Sequence, residues 1–123
     1  MFNKLFAVCL LVKDFDRSVD FYHDILGLET DSKEGTFANF KLGETSLAIF
    51  QKGDAESMFP KKYMGECGGL VLAFQVDDLE ETLKILESKG VEIFEGPKTT
   101  EWGQTVAYFK DPDGHIWEVS NSK

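Results

Sequence analysis

The sequence contains little cysteine and few basic residues. Only Cys9 and Cys67 occur, far apart, so no disulfide framework is implied and a reducing cytoplasm is the expected compartment. The 13 Lys and Arg residues are outnumbered by 22 Asp and Glu residues, which gives a net charge of −9. Such a chain does not neutralise phosphates, so we expect neither nucleic acid nor an anionic membrane surface as a partner. The charge is compatible with a cationic ligand, or with solubility alone.

Long hydrophobic runs are also missing. No run of apolar residues reaches the length that spans a bilayer, and residues 1–6 do not form the apolar stretch of a secretory signal. With 123 residues, of which 42% are hydrophobic, the chain is expected to fold as one domain over residues 1–123. The aromatic residues are eleven Phe, three Tyr and two Trp, more than a small core needs, so some are expected to line a cavity.

Hydrophobic periodicity predicts the same order of elements twice. In the first half, an apolar strand is followed by a helix that Asp16 caps and Gly27 ends, and then by three short strands. In the second half, a helix follows Asp77 and Asp78 and ends at Gly90. Its apolar residues are Leu79, Leu83, Ile85 and Leu86. The predicted strands are residues 5–12, 28–33, 36–42, 45–51, 70–76, 91–94, 104–110 and 115–120.

The two halves also match in sequence. Residues 12–19 align with residues 76–83 at an offset of 64, with identical Val and Asp and conservative substitutions between them. A period of this length favours duplication of a β-α-β-β-β module over a solenoid. Module one is then residues 1–51, module two is residues 69–123, and a connector at 52–68 without predicted secondary structure joins them. A connector this long, which contains Tyr63, either caps the core or closes over a ligand.

Short motifs in a characteristic order and spacing extend over nearly the whole chain. They are Val12-Lys13-Asp14, Leu26-Gly27-Leu28, Val76-Asp77-Asp78-Leu79, Trp102-Gly103 and the segment 109–118 with its Asp-Pro-Asp-Gly turn. Together they resemble the vicinal-oxygen-chelate superfamily of glyoxalases, bleomycin-resistance proteins and extradiol dioxygenases. The resemblance implies an α+β fold of two tandem β-α-β-β-β modules, whose curled mixed sheets surround a cavity. It also implies a homodimer, in which a second chain completes the sheet edges and cavities.

The resemblance further implies four positions that hold a metal in the enzymes of this superfamily. In this sequence these positions hold Ala7, Ala48, Val71 and Glu118. Only the last side chain has a donor atom, whereas a catalytic divalent site needs at least three protein ligands. We therefore expect no metal and no cofactor. A displaced metal site that uses Gln75 and Gln104 is the alternative.

Other reactive side chains are few. His23 is expected on the first helix, and His115 is expected to be solvated after its turn. On a strand, His115 and Glu118 would point to opposite faces, so they would not bind one metal together. Cys9 either lines the cavity or acts as a small inert apolar residue, and Cys67 follows an acidic residue that disfavours a nucleophilic role. No catalytic residue is assigned.

Alternation along the strands assigns side chains to a cavity face. The residues expected to contact a ligand on that face are Ala7, Cys9, Ala48, Phe50, Val71, Ala73, Gln75, Tyr108 and Glu118. Trp102 and Tyr63 are expected to stack on a planar or cationic ligand, or Trp102 covers the core at a sheet edge. Glu118 is the only ionised side chain assigned to this face. It could neutralise a cation, act as a general base or hydrogen-bond within an apolar pocket.

Three functions follow from these observations. The first is a metal-free protein that binds a neutral or cationic, partly aromatic small molecule, as the similarity to the bleomycin-resistance branch implies. The second is a glyoxalase I-like lyase, an epimerase or a dioxygenase that uses the displaced metal site. The third is an interaction or regulatory domain without small-molecule chemistry. The apolar metal positions, the negative charge and the aromatic residues favour the first.

Overall fold

A computed structural model of the chain describes residues 7–57, 71–100 and 103–121, without the side chains of residues 56 and 57. The chain divides into two units, residues 1–67 and residues 68–123. Each unit contains a four-stranded sheet and an α-helix that follows its first strand. Within the described ranges, no helix is long and apolar enough to cross a membrane.

The first unit has the order β-α-β-β-β. Its elements are β1 (Ala7–Val12), α1 (Phe15–Asp20), a π-helical turn (Phe21–Ile25), β2 (Thr30–Glu34), β3 (Phe37–Leu42), β4 (Thr45–Gln51) and a 3₁₀ helix (Lys52–Ser57). The strand order is β1-β4-β3-β2, and only the β1–β4 pair is parallel among these strands. The prediction that the connector lacks secondary structure was wrong over residues 52–57, where the 3₁₀ helix continues directly from β4.

The second unit repeats this topology. Its elements are β5 (Val71–Val76), α2 (Leu79–Ser88), β6 (Glu95–Thr99), β7 (Thr105–Lys110) and β8 (Ile116–Asn121). The strand order is β5-β8-β7-β6, in which β5 and β8 run parallel and the other neighbours are antiparallel. The predicted α+β class with two mixed sheets of duplicated topology is therefore confirmed.

Each α-helix begins after an aspartate whose side chain caps its first turn. The Asp14 carboxylate accepts a hydrogen bond from the Arg17 N–H at 3.2 Å, and the Asp78 carboxylate accepts one from the Glu81 N–H at 3.0 Å. The prediction that Asp16 is the cap was wrong, because Asp14 has the extended backbone of a cap (φ −128°, ψ 99°) and Asp16 lies inside the helix. Asp14 and Asp78 are equivalent positions of the sequence repeat, so the repeat already indicated the cap.

One face of the first sheet forms the core of its unit. The buried side chains of this face are Leu10, Val12, Ala38, Phe40, Leu47 and Ile49. The α1 segment and the turn after it add Phe15, Val19 and the fully buried Tyr22, whose ring lies 6.2 Å from that of Phe40. Burying each large apolar side chain stabilises the fold by about 1.5–3 kcal/mol, so this face holds the sheet and the helix together.

The core of the second unit is built in the same way. Trp117 of β8 is buried and stacks on Phe74 of β5, with ring centroids 4.4 Å apart and an interplanar angle of 11°. From α2, the buried side chains are Leu79, Leu83 and Leu86. Ile85, the fourth apolar residue of the predicted helix, is 47% exposed and falls off the face that the three leucines share.

The sixth strand lies later in the sequence than predicted. Residues 91–94 were predicted to be a strand, but β6 begins at Glu95 and pairs with β7 through a shift in register between Glu95 and Lys98. The Val91 N–H instead donates a hydrogen bond to the Leu86 carbonyl at 3.0 Å, so this segment completes the exit from α2. With this register, Glu95 lies beside Tyr108 of β7 and Lys98 lies beside Val106.

Candidate functional site

The site residues predicted for the second module lie on one face of its sheet. The register places Ala73 of β5 opposite Glu118 of β8, and Glu118 opposite Tyr108 of β7. Val71 and Gln75 share this face, because side chains two residues apart on a strand point the same way. We call it the Glu118 face; its residues are Val71, Ala73, Gln75, Val106, Tyr108, Lys110, Ile116, Glu118 and Ser120. The sheet thus brings all five second-module residues assigned by alternation onto one surface.

Tyr108 and Glu118 form a hydrogen-bonded pair at the centre of this face. The Tyr108 hydroxyl donates to Glu118 Oε1 at 2.8 Å, and both residues are half-buried. This hydrogen bond is the largest cause of a rise in the pKa of Tyr108 above its ordinary value of 10.0, followed by desolvation and by the negative charges of Glu118 and Glu95. Tyr108 therefore remains a neutral donor at physiological pH. The sequence analysis assigned both residues to the ligand-binding face, but it could not indicate their contact, which depends on the β7–β8 register.

Glu118 is not the only ionised side chain on this side of the sheet, contrary to the sequence-based assignment. Lys98 Nζ lies 3.2 Å from Glu95 Oε2 and 5.9 Å from the centre of the Tyr108 ring. Lys110 lies on the Glu118 face itself, and its Nζ is 5.0 Å from the centre of the Phe94 ring. The alternation of β7 could have indicated Lys110. Glu95 and Lys98 were missed because β6 was predicted four residues too early.

The β5 edge of the Glu118 face is open, and it is apolar at Val71 and Ala73. Val71 is 58% exposed, and Ala73 and Gln75 are exposed beside it. At the far end, Gln104 Nε2 donates to Ser120 Oγ at 3.2 Å and to the Asn121 carbonyl at 3.3 Å. Gln75 is opposite Ser120 in the register, so the two glutamines of the alternative metal site lie near the same serine. These two hydrogen bonds tie the residue before β7 to the end of β8.

The first unit places its predicted site residues on one face as well. Ala7, Cys9, Ala48 and Phe50 point the same way, with Cys9 directly opposite Ala48. Phe50 packs edge-on against Phe37 of β3, with ring centroids 5.4 Å apart. Cys9 is exposed, but partial desolvation raises the pKa of its thiol above 9.0, which opposes a nucleophilic role. Trp102, Tyr63 and Cys67 lie outside the described residues.

The described residues do not fit the metal that the superfamily implies. Ala7, Ala48 and Val71 offer no donor atom, and one oxygen of Glu118 already accepts the Tyr108 hydroxyl. Within residues 7–57, 71–100 and 103–121, no three His, Cys, Asp or Glu side chains are grouped as a metal site. His23 is exposed on the π-helical turn, as expected for a helix-face residue, with Nδ1 3.0 Å from the Leu28 carbonyl oxygen.

His115 is buried, so the expectation that it is solvated was wrong. Only 6% of the residue is exposed, and its Nδ1 lies 2.8 Å from Oδ2 of the buried Asp111. Asp111 Oδ1 also accepts the backbone N–H groups of Asp113 and His115, at 2.9 and 2.8 Å. The Gly114 N–H closes the predicted turn on the Asp111 carbonyl at 3.0 Å. This network fixes the start of β8, three residues before Glu118.

The His115–Asp111 contact should make stability depend on pH. The hydrogen bond to Asp111 is the main cause that raises the pKa of His115 above 6.5, against an opposing effect of desolvation. The stabilisation is therefore fully present below pH 6.5 and is lost as pH rises through the higher pKa of the folded state. We expect the difference in unfolding free energy between wild type and His115→Gln to shrink from about pH 5 to about pH 9. Urea denaturation measures it, and a constant or growing difference would contradict this assignment.

A separate groove lies on the helix side of the second sheet. It has a volume of about 600 Å³ and is lined by Asp77, Asp78, Leu79, Glu80, Leu83, Lys84, Glu87, Pro97, Thr105 and Asn121. None of the residues that the sequence assigned to a site lines this groove, and its walls carry four carboxylates and a single ammonium, that of Lys84. We treat it as part of the acidic surface of the unit.

Comparison with known proteins gives a consistent picture. Residues 4–119 match the family model described as the Glyoxalase/Bleomycin resistance protein/Dioxygenase superfamily. An uncharacterized protein YraH of Bacillus subtilis is 35% identical, with 94% of this chain and 96% of the relative covered. A metallothiol transferase FosB of Staphylococcus epidermidis is 29% identical over 91% of this chain and 77% of its own length.

Solved structures agree with the sequence comparison. An integron cassette protein from Vibrio cholerae has a TM-score of 0.82 and 31% identity, with 100% of this chain and 98% of that chain covered. A glyoxalase/bleomycin resistance protein/dioxygenase from Nocardioides has a TM-score of 0.80 and 25% identity, with coverages of 97% and 83%. The resemblance drawn from the sequence motifs is confirmed, and the chain belongs to the Glyoxalase/Bleomycin resistance protein/Dioxygenase superfamily.

Proposed function

We propose that this chain binds a neutral or cationic, partly aromatic small molecule on the Glu118 face, without a metal ion. The observation that carries the proposal is the Tyr108–Glu118 pair, a polar centre on a face whose β5 edge is apolar and exposed. Few placed polar groups within apolar surroundings are typical of small-molecule sites. Burial of apolar area would supply most of the affinity, at about 25 cal/mol per Å² before the costs of association.

Charge supports the neutral or cationic character of the ligand. Glu95 and Lys98 neutralise each other across 3.2 Å, whereas the partner of Glu118 is a neutral hydroxyl. A cation would therefore meet an acid that forms no ion pair with the described lysines and arginines, within a chain whose net charge is −9. Lys110 lies on the same face but against the Phe94 ring, so it moderates this preference without reversing it.

A metal-dependent enzyme is the second candidate. Its support is the similarity to proteins named as metallothiol transferases and as probable lactoylglutathione lyases. The apolar side chains of Ala7, Ala48 and Val71 at the metal positions oppose it. Elemental analysis of the purified protein separates the two candidates: binding without metal predicts no stoichiometric zinc, nickel, manganese or iron, and a tightly held divalent ion lost in Glu118→Ala would favour the enzyme.

The proposal includes a cytoplasmic homodimer. Val71 is strongly exposed on β5, an edge strand of its sheet, and an exposed apolar edge favours pairing with another chain. The two isolated cysteines suit a reducing compartment. A monomer in sedimentation at micromolar concentration would contradict the dimer.

The position of the site can be tested by blocking it. Ala73 is exposed and directly opposite Glu118, so the large indole in Ala73→Trp should cover the Tyr108–Glu118 pair. A thermal-shift screen of neutral, cationic and anionic aromatic compounds identifies ligands of the wild type, and calorimetry gives their affinities. We expect Ala73→Trp to weaken each of them by about tenfold or more, whatever its charge.

The matched control adds the same side chain elsewhere in the unit. Ile85 is exposed on α2, on the opposite side of the sheet, so Ile85→Trp should leave the affinities unchanged. Equal affinities in wild type and Ala73→Trp would place the binding site elsewhere and reject the proposal.

A further inference from the structure

The Tyr108–Glu118 pair has no hydrogen left to offer a ligand. A phenol has one O–H donor, and Tyr108 gives it to Glu118. A carboxylate has only acceptor positions. The pair can therefore only accept further hydrogen bonds, through the lone pairs of Tyr108 Oη and of the Glu118 carboxylate. The two oxygens that share the hydrogen are 2.8 Å apart, so these acceptors are adjacent.

We propose that the Tyr108–Glu118 pair selects ligands by their hydrogen-bond donors, and that the ligand bears a hydroxyl or an N–H-bearing ammonium group rather than a quaternary ammonium, ether or carboxylate. This inference rests on the proposed function, because it concerns ligands of the Glu118 face. The inference adds a requirement to that of charge. A cation without N–H groups would be attracted to the Glu118 carboxylate, but it would leave the acceptor oxygens of the pair without hydrogen-bond donors.

The neighbouring residues leave these acceptors available. Tyr108 is the hydrogen-bond partner of Glu118 within the part of the chain that the structure describes. Lys98, whose ammonium lies 5.9 Å from the centre of the Tyr108 ring, forms an ion pair with Glu95 on the edge strand β6. On the other side, the β5 neighbour of Glu118 is Ala73, whose side chain ends at its Cβ and does not cover the carboxylate.

Tyr108 also fixes which way the pair faces. Its ring packs near Phe94, with centroids 6.3 Å apart, and the Lys98 ammonium lies 5.9 Å from its centre. A ring held in this way keeps the hydroxyl aimed at Glu118, and the bound hydrogen cannot rotate toward a ligand without breaking that contact. Glu118 therefore determines the specificity of the pair, because its carboxylate accepts the one hydrogen that Tyr108 could otherwise offer to a ligand.

The test uses four aromatic probes that separate charge from donors. Benzylammonium is a cation with donors, benzyltrimethylammonium is a cation without them, benzyl alcohol is a neutral donor, and benzyl methyl ether is its neutral counterpart without a donor. Amide chemical shifts of the intact protein follow each titration, since affinities on the order of millimolar are expected for such small molecules. We expect each donor probe to bind about tenfold more tightly than its counterpart of the same charge.

A single isosteric substitution should reverse the preference. In Glu118→Gln, the Tyr108 hydroxyl still has a carbonyl oxygen to donate to, and the new amide presents N–H groups to the ligand. Benzyl methyl ether should then bind as well as benzyl alcohol or better. Glu87→Gln removes one negative charge from α2, on the opposite side of the sheet, so it should keep the wild-type preference.

The outcomes separate this inference from the proposed function. If both cations bind equally and more tightly than both neutral probes, the Glu118 face selects ligands by their charge and not by their donors. The inference is then overturned while the proposed function stands. If no probe shifts the amides of β5, β7 and β8, the proposed function fails and the inference fails with it. If Glu118→Gln does not fold, the wild-type series alone decides, because the comparison at equal charge needs no variant.

Discussion

Replacing Asp111 with alanine is expected to lower the free energy of unfolding by about 3–5 kcal/mol. The carboxylate is buried and accepts three hydrogen bonds, from His115 Nδ1 and from the backbone N–H groups of Asp113 and His115. Its removal leaves two backbone donors unpaired, and it leaves a protonated imidazole buried without its counter-charge. Chemical denaturation at a pH slightly below 6.5, where His115 is protonated, measures the full effect.

The matched variant for this prediction is Asp111→Asn, which keeps the shape of the side chain. Its carbonyl oxygen can still accept the two backbone N–H groups, so we expect a cost of only about 1–2 kcal/mol. The amide does not favour a charged imidazole, so the stabilisation at low pH that the Asp111 hydrogen bond gives to protonated His115 should be lost. An Asp111→Ala variant as stable as wild type would show that the turn does not depend on this network.

Gly96→Ala is the second change with a large expected effect, a loss of about 2–5 kcal/mol of unfolding free energy. Gly96 lies in β6 with a φ of +87°, where a side chain costs about 1–2 kcal/mol. A Cβ there would also lie 2.7 Å from the Val106 carbonyl oxygen and 3.1 Å from the Ala107 Cα. Both are backbone atoms of the adjacent strand, so the clash can be relieved only by separating β6 from β7.

Gly90 provides a control with the same backbone conformation and no crowding. It also has a φ of +87°, and a Cβ at that position meets nothing within 4 Å. Gly90→Ala should therefore show the conformational cost alone, about 1–2 kcal/mol, and the difference between the two variants gives the steric cost. Equal losses would mean that β6 moves away from β7 freely, which would weaken the argument that this edge holds Glu95 and Lys98 beside Tyr108.

These two predictions concern the supports of the candidate site. The Asp111–His115 network fixes the residue from which β8 extends toward Glu118, and Gly96 lets β6 approach β7 next to Tyr108. If the donor preference of the Tyr108–Glu118 pair depends on its geometry, both variants should reduce that preference before they abolish the fold. The same amide-shift titration, carried out on the Asp111 and Gly96 variants, therefore measures how far the donor preference depends on these two structural features.

Local signals in the sequence were sufficient for the architecture. The repeat of residues 12–19 at 76–83 indicated the duplicated module, since the same strand, aspartate cap and helix recur in both halves. Alternation along β5 and β8 indicated which side chains share a face, because neighbouring side chains on a strand point to opposite sides. These features depend on a few consecutive residues, so they can be predicted from the sequence without knowledge of tertiary contacts.

Which side chains meet was decided by the tertiary structure. Tyr108 and Glu118 are ten residues apart and touch because of the β7–β8 register, while the β6 register shift delivers Lys98 to the Tyr108 ring. His115 was expected in solvent, and the turn buried it against Asp111. Hydrophobic pattern determines the face on which a side chain lies, but register and long-range packing determine its neighbours, and the chemistry of the Glu118 face depends on those neighbours.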